Sequence, residues 1–304
     1  MTSPTTATVT DRPPAWKLWL LAARPKTLPA AVAPVVVGTS IAIHEDGFHA
    51  LAAALALITA LLLQVAANFA NDALDFSHGA DTGERVGPTR VTSAGLLSHR
   101  AVMRATAITL ALAMVSGLWL VVRGGWPMLA LGVAAIVCAV AYTGGPYPLG
   151  YLGLGEVFVF IFFGPVAVAG TAYVQTLELT PMALATSVPI GALAVAILVV
   201  NNLRDLPTDA RSGKRTIAVR IGPHRTRIEY GAMLVVAVAS PLVFWAAGWL
   251  DWWWILTTGS WPLAGQLWQQ IHRHQGRSLN GTLAATARTQ LVYSVLLALA
   301  MVLS

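Results

Sequence analysis

Two short acidic segments hold the reactive side chains of this sequence, and each closes a long apolar run. The first reads Asn68-Phe-Ala-Asn71-Asp72-Ala-Leu-Asp75, the second Asn201-Asn202-Leu-Arg204-Asp205-Leu-Pro-Thr-Asp209. The chain has only 13 acidic residues in 304, so four in these two segments is a marked concentration. A carboxylate at the centre of a membrane helix costs about 2.5–3.5 kcal/mol on insertion scales, so acids kept there are functional candidates. In both segments an Asn precedes an Asp by four residues, Asn68 to Asp72 and Asn201 to Asp205, which stacks the pair on one helix face. Asp72 and Asp75 are three apart and Asp205 and Asp209 four apart, so each pair shares a face, with Pro207 expected to end or bend the second helix. Four converging carboxylates without matching cations repel one another, and a divalent cation relieves that. Oxygen-only donors favour Mg2+, which takes one or two carboxylates and shares its other positions with water and substrate phosphates. Arg and Lys follow both segments and supply the other half of a phosphate site. Such a pole at the end of an apolar cavity describes a diphosphate head with a hydrocarbon tail.

The elements that carry these residues are membrane helices. Hydrophobic residues make up 56% of the chain and charged residues 11%, with a mean hydropathy of +0.67, which excludes an ordinary soluble domain. About 20 apolar residues cross a bilayer core, and that length recurs. Spans are expected at 27–44, 50–71, 102–122, 126–143, 154–175, 182–203, 229–248, 251–270 and 284–303. Lipid offers no partner to an unpaired backbone group, so all nine are helices. The fold class is therefore all-α, a multi-pass bundle around a central cavity. Residues 1–14 read as a disordered tail and 15–304 as a single transmembrane domain.

Nine spans place the N-terminus and the loops after spans 2, 4, 6 and 8 on one side. Every Lys and Arg except Arg123 falls there, 18 of 19, so that side is read as cytoplasmic. This asymmetry also retains the span at 251–270, despite Thr257, Thr258, Pro262 and several Gln, because deleting it moves Arg273, Arg277 and Arg288 outside. The net charge of +6 is then a product of topology and is a poor argument for nucleic-acid binding. Cys138 is the only cysteine, so it forms no internal disulfide and no thiolate cluster, and it reads as packing.

Loops at 76–100 and 205–228 each follow an acidic segment and are rich in Gly and Arg. The acidic segments recur four spans apart, so the bundle reads as two pseudo-repeated four-helix halves plus a ninth span, with the two acidic ends facing each other. Trp16 to Ala23 is expected to lie in the interface, and Trp252–Trp254 to join an aromatic belt. Pro29, Pro34 and Pro165 are expected to kink their helices.

Asn71-Asp72-x-x-Asp75 and Asp205-x-x-x-Asp209 resemble the paired aspartate motifs of the UbiA-type intramembrane aromatic prenyltransferases, over nearly the whole chain. Ala23-Arg-Pro-Lys-Thr-Leu-Pro29, Arg85-Val-Gly-Pro88, Tyr142-Thr-Gly-Gly-Pro-Tyr-Pro-Leu-Gly-Tyr151 and Phe163-Gly-Pro-Val166 are similar to one branch, the 1,4-dihydroxy-2-naphthoate prenyltransferases. The broader pattern often has a third Asp where this chain has Gly79, with Asp81 the nearest substitute. It also often has a basic residue after the tyrosine motif, where 142–155 has none.

The resemblance implies transfer of a polyprenyl chain from polyprenyl diphosphate to the naphthoate ring, with loss of CO2, giving demethylmenaquinone. The expected Mg2+ ligands are Asp72, Asp75, Asp205 and Asp209, helped by Asn68 and Asn71. Phosphate contact is expected of Arg24, Lys26, Arg85, Arg90 and Lys214, and further substrate contact of Asp81, Asn201 and Asn202. Tyr142, Tyr147 and Tyr151 are candidates for cation–π contact with an allylic cation, against the alternative of an interfacial belt. Glu156 is a candidate base for the acceptor hydroxyl, against a plain helix N-terminal carboxylate. Two alternatives stay open: a prenyltransferase for another ring such as 4-hydroxybenzoate, and a cation-coupled transporter with its site at a repeat interface.

Overall fold

The computed structural model describes residues 13–77, 86–87, 90–145 and 147–304. Most of the expected N-terminal tail, together with Asp81 and Arg85, lies outside the described residues. Among the described residues there are helices, turns and loops but no strand. Helix α1, Ala15–Ala23, buries Leu18 and Ala22 and turns Trp16 and Leu20 outward, the division an interfacial helix needs. Arg24, at φ 52, leads through the short 3-10 turn Pro25–Thr27 into α2, Pro29–His44. The two segments bend by 50°. Pro29 thus opens a helix instead of kinking one, because the first helical position makes no use of an N–H.

Helix α3, Ala50–Ser77, runs to the first acidic segment. Helix α4, His99–Ala141, counts 43 residues, about 65 Å at 1.5 Å per residue, twice a bilayer core. Gly125, at φ 71 and ψ −157, breaks it into two limbs, which gives the two expected spans. The start of the first limb lies on α3, where the His99 and Phe76 rings are 6.4 Å apart, and Thr143, just past the second, bonds Asn71. Both ends of α4 therefore return to the acidic end of α3, and the limbs form a hairpin.

Helix α5, Gly155–Ile161, the π-helical turn Phe162–Val166 around Pro165, and α6, Ala167–Thr176, make one span. Helix α7, Pro181–Arg211, and α8, Ile217–Ala246, follow. Helix α7 continues through Pro207, so residues 212–216 alone separate it from α8, a far shorter loop than the expected 205–228. The proline falls in the last turns and leaves one carbonyl without its intrahelical partner, while the surroundings of the neighbouring Arg204 and Asp205 hold the helix in place. The eighth expected span is a 3-10 segment, Trp252–Ser260, running into α9, Trp261–Arg273. It is not among the segments apolar enough to cross alone, for its threonines and glutamines dilute it. Helix α10, Leu279–Leu303, ends the chain. Among the described residues six helical segments have the length and composition of a span and the α1–α2 pair is a seventh. Counting both limbs of α4 and the α9 segment restores nine.

Helix α7 is the centre: 72% of its apolar window is buried, against 17% for α3 and α4. Its apolar face packs with α2, α6, α8 and α10 around Val37, Val168, Ile190, Val199, Leu234 and Leu297. Gly191 lets α7 press on α5 and the π-helical turn; a Cβ there would stand 2.9 Å from the Phe160 carbonyl oxygen and 3.2 Å from Gly164 Cα. The second acidic segment is therefore anchored in the best-packed helix. At the far end of the bundle Arg123 donates to the Val174 and Gln175 carbonyls at 2.7 and 2.8 Å, closing the C-terminus of α6.

Candidate active site

Helical periodicity selects which side chains see the interior. On α3 the residues Gln64, Ala67, Asn68, Asn71 and Asp75 form one stripe, and on α7 the stripe is Ala194, Ile197, Leu198, Asn201, Asn202, Asp205, Thr208 and Asp209. Both stripes line one cavity of about 660 Å³. Its body is apolar, walled by residues such as Val35, Leu118, Ile136, Phe162 and Val166. Its polar pole is made by the ends of α3 and α7 and by the loops that follow α1, α3, α4 and α7.

Asp75 is the junction of that pole. Its carboxylate is buried and pairs with the Arg90 guanidinium, which also donates to the Asn71 carbonyl. The Tyr151 hydroxyl donates to the same carboxylate at 2.7 Å, and Lys214 Nζ stands 3.2 Å from it. Lys214 also lies 3.9 Å from Asp209 and 4.5 Å above the Tyr151 ring, so it bridges the ends of α3 and α7. The two acidic segments do face each other across the cavity, as their repetition implied.

The matched-cation argument comes out differently from the sequence expectation. Asp205 is held by Arg204 through both oxygens, at 2.8 and 2.5 Å, and Arg204 further donates to Asn201 and to Asn280 of α10. Each cavity carboxylate therefore has a cation of the chain beside it. Among the described residues no group of three or more acidic, His or Cys side chains gathers as a metal cage.

Asp72 departs from its expected place. It is buried, does not line the cavity, and accepts the backbone N–H groups of Val91 and Thr92 at 3.0 and 2.9 Å. Residue 72 is rotated about 100° from residue 71, which turns its carboxylate toward the loop. It thereby fixes the residues next to Arg90. Asn68 lines the cavity but donates to the Ala23 carbonyl and the Thr27 hydroxyl, tying the Arg24 turn to α3. Asn71 accepts from Thr143 at 2.8 Å.

Arg24, Arg90, Asn201, Asn202, Tyr142, Tyr151 and Lys214 all line the cavity. Lys26 and Tyr147 do not: Lys26 is exposed and Tyr147 is 75% exposed, although Thr27 and Tyr151 of the same loops line the cavity. Glu156 is buried one layer behind the wall, accepting from Asn202 at 2.9 Å. Thr27, Thr143, Thr208 and Arg204 are site residues that the sequence reading did not single out. Thr208 was recoverable by extending the α7 stripe one step; Thr27 and Thr143 carry no local signal.

The UbiA prenyltransferase family model matches residues 31–302. A 1,4-dihydroxy-2-naphthoate octaprenyltransferase of Mycobacterium tuberculosis is 44% identical over 248 residues, covering 76% of this chain and 85% of that protein. The Escherichia coli protein of the same name is 40% identical over 232 residues, 74% of this chain and 75% of its own. A solved UbiA homologue from Archaeoglobus fulgidus, bound to GPP and Mg2+, aligns with a TM-score of 0.67 at 15% identity, over 93% of this chain and 99% of that one, a likeness of fold alone. With the family's span of the sequence, its fold and two facing aspartate segments in one chain, this protein belongs to the UbiA prenyltransferase family.

Proposed function

We propose that this chain transfers a polyprenyl group from polyprenyl diphosphate to 1,4-dihydroxy-2-naphthoate, with loss of CO2 and diphosphate, giving demethylmenaquinone. The observation that carries the reading is a cavity whose apolar body ends at a pole of facing carboxylates and cations, in a chain whose relatives are named 1,4-dihydroxy-2-naphthoate octaprenyltransferases.

Arg90, Lys214 and Arg24 bind the diphosphate, as cations already gathered at the pole. Asp72 is a positioning residue that holds the Arg90 loop through two backbone N–H groups. Phosphate oxygens compete with Asp75 and Asp209 for Arg90 and Lys214, and the carboxylates so released are oxygen donors on both sides of the pole. That donor set fits Mg2+, with Asp75, Asp205 and Asp209 as its holders and Asn71 beside them. When bound, the ion supplies positive charge against the charge that develops on the leaving diphosphate. Tyr151 presents a ring face to Lys214 Nζ, the geometry an allylic cation would use, and Tyr142 presents a neutral phenol beside it. Glu156 holds Asn202 toward the cavity, where the acceptor ring would sit. The enzyme is a multi-pass protein of the cell membrane with the pole and the N-terminus on the cytoplasmic side, as the distribution of Lys and Arg argues.

The test is direct. Membranes carrying the protein are supplied with octaprenyl diphosphate and either 1,4-dihydroxy-2-naphthoate or 4-hydroxybenzoate, with Mg2+ or with excess chelator, and products are read by mass. A prenylated, decarboxylated naphthalene product that requires Mg2+ is expected. Product from 4-hydroxybenzoate alone overturns the acceptor assignment, and full turnover in chelator overturns the metal assignment.

A further inference from the structure

The glycines of the spans divide by what a Cβ would meet. At Gly38 it would stand 2.5 Å from the Val168 carbonyl oxygen and at Gly191 2.9 Å from that of Phe160, so these glycines serve close packing. At Gly132, on the second limb of α4, a Cβ has nothing within 4 Å, and the residue lines the cavity. Gly170, on α6, would touch Leu131 Cδ1 alone, at an ordinary 3.7 Å, and it lines the cavity too. A glycine inside a helix is destabilising relative to alanine. No neighbour of Gly132 requires a missing side chain and no positive φ requires its flexibility. What its bare backbone adds is room in the cavity.

The depth of that room has a consequence for the donor. Gly132 precedes Tyr142 by ten residues, about 15 Å along the helix axis from the polar pole. Beyond it the cavity continues past Met128, Leu120 and Val174 to the far end of the bundle. We propose that Gly132 is a specificity-determining residue for donor length, keeping the cavity passable so that a long prenyl tail runs beyond this depth while a short one ends above it. The inference rests on the prenyl diphosphate reading above.

Cys138, the chain's single cysteine, lines the same limb of the cavity between Gly132 and the pole, and provides a readout independent of turnover. The full-length protein and its Gly132→Ala, Gly132→Leu and Gly132→Phe variants are assayed with geranyl diphosphate and octaprenyl diphosphate. In parallel, alkylation of Cys138 by a small maleimide is timed with each donor present. The kcat/KM ratio of geranyl over octaprenyl is expected to rise about tenfold or more in Gly132→Phe, with Leu and Ala in descending order. In that variant geranyl diphosphate still slows alkylation while octaprenyl diphosphate no longer does. Should Gly132→Phe fail to insert, Gly132→Leu carries the same split. A ratio unchanged across the series, equal loss of both donors, or wild-type alkylation indifferent to both donors overturns the proposal. Wild-type protein that both donors protect but that makes no naphthoate product fails the functional reading, and the alkylation split still decides the inference.

Discussion

At the scale of the residue, charge at the pole is balanced by the chain's own side chains: Asp75, Asp205 and Asp209 stand against Arg90, Arg204 and Lys214. Removing one member of a buried pair leaves an uncompensated charge, at a cost of about 3–5 kcal/mol. Asp75→Asn should therefore lower thermal stability in detergent as well as abolish product; a stable but inactive variant would confine Asp75 to the chemistry. Asp72 and Arg90 act through one loop. Arg90→Ala and Asp72→Asn should each raise the apparent KM for prenyl diphosphate about tenfold, with the double variant little worse than either single one. Fully additive losses would show that the two residues act separately. The sequence places both aspartates of the first segment together, and spacing alone cannot say which one turns to the cavity. That depended on where the loop at residues 90–92 lies, a tertiary matter.

Elements decide the shape of the cavity. Gly125 lets one continuous run of 43 helical residues fold back as a hairpin, and its φ of 71 is a region that a β-branched side chain occupies only under strain. Gly125→Val should cost about 1–3 kcal/mol, visible as a lower melting temperature in detergent with the site residues untouched. An unchanged melting temperature would mean that the turn relaxes freely. The long apolar runs made the spans legible from composition, since a bilayer leaves few alternatives to a helix. The boundary at Pro207 was not legible, because local chemistry predicts a break where the packing around α7 sustains helix to Arg211. The eighth segment shows the same limit: charge topology required it, yet it takes a mixed 3-10 and α-helical form.

The whole molecule is polarised along the axis of its bundle. Arg123 caps α6 at one end, while Arg90, Arg204 and Lys214 gather at the other. Membrane insertion that follows the positive-inside rule puts the pole in the cytoplasm. In a Cys138→Ala background, a membrane-impermeant thiol reagent added to intact cells should label Trp126→Cys and spare Arg100→Cys until the cells are broken. Labelling of Arg100→Cys from outside would invert the topology. On the proposed function the arrangement has a logic: a charged diphosphate would reach the pole from water while its tail would lie in an apolar body bounded by membrane helices.

By itself the sequence determined the class. Apolar runs long enough for a bilayer dictate helices, the one-sided Lys and Arg argue a direction, and two Asn/Asp segments at span ends mark the pole for which an anion and a hard cation are proposed. These follow from local composition and helical period, which folding does not alter. Tertiary structure decided the rest: that Asp75 and not Asp72 faces the cavity, that Lys214 bridges the two segments, that Thr27 and Thr143 join them, and that Lys26 and Tyr147 stay outside. Those outcomes depend on how helices far apart in the chain are rotated and stacked against α7, and no spacing within a single helix records that.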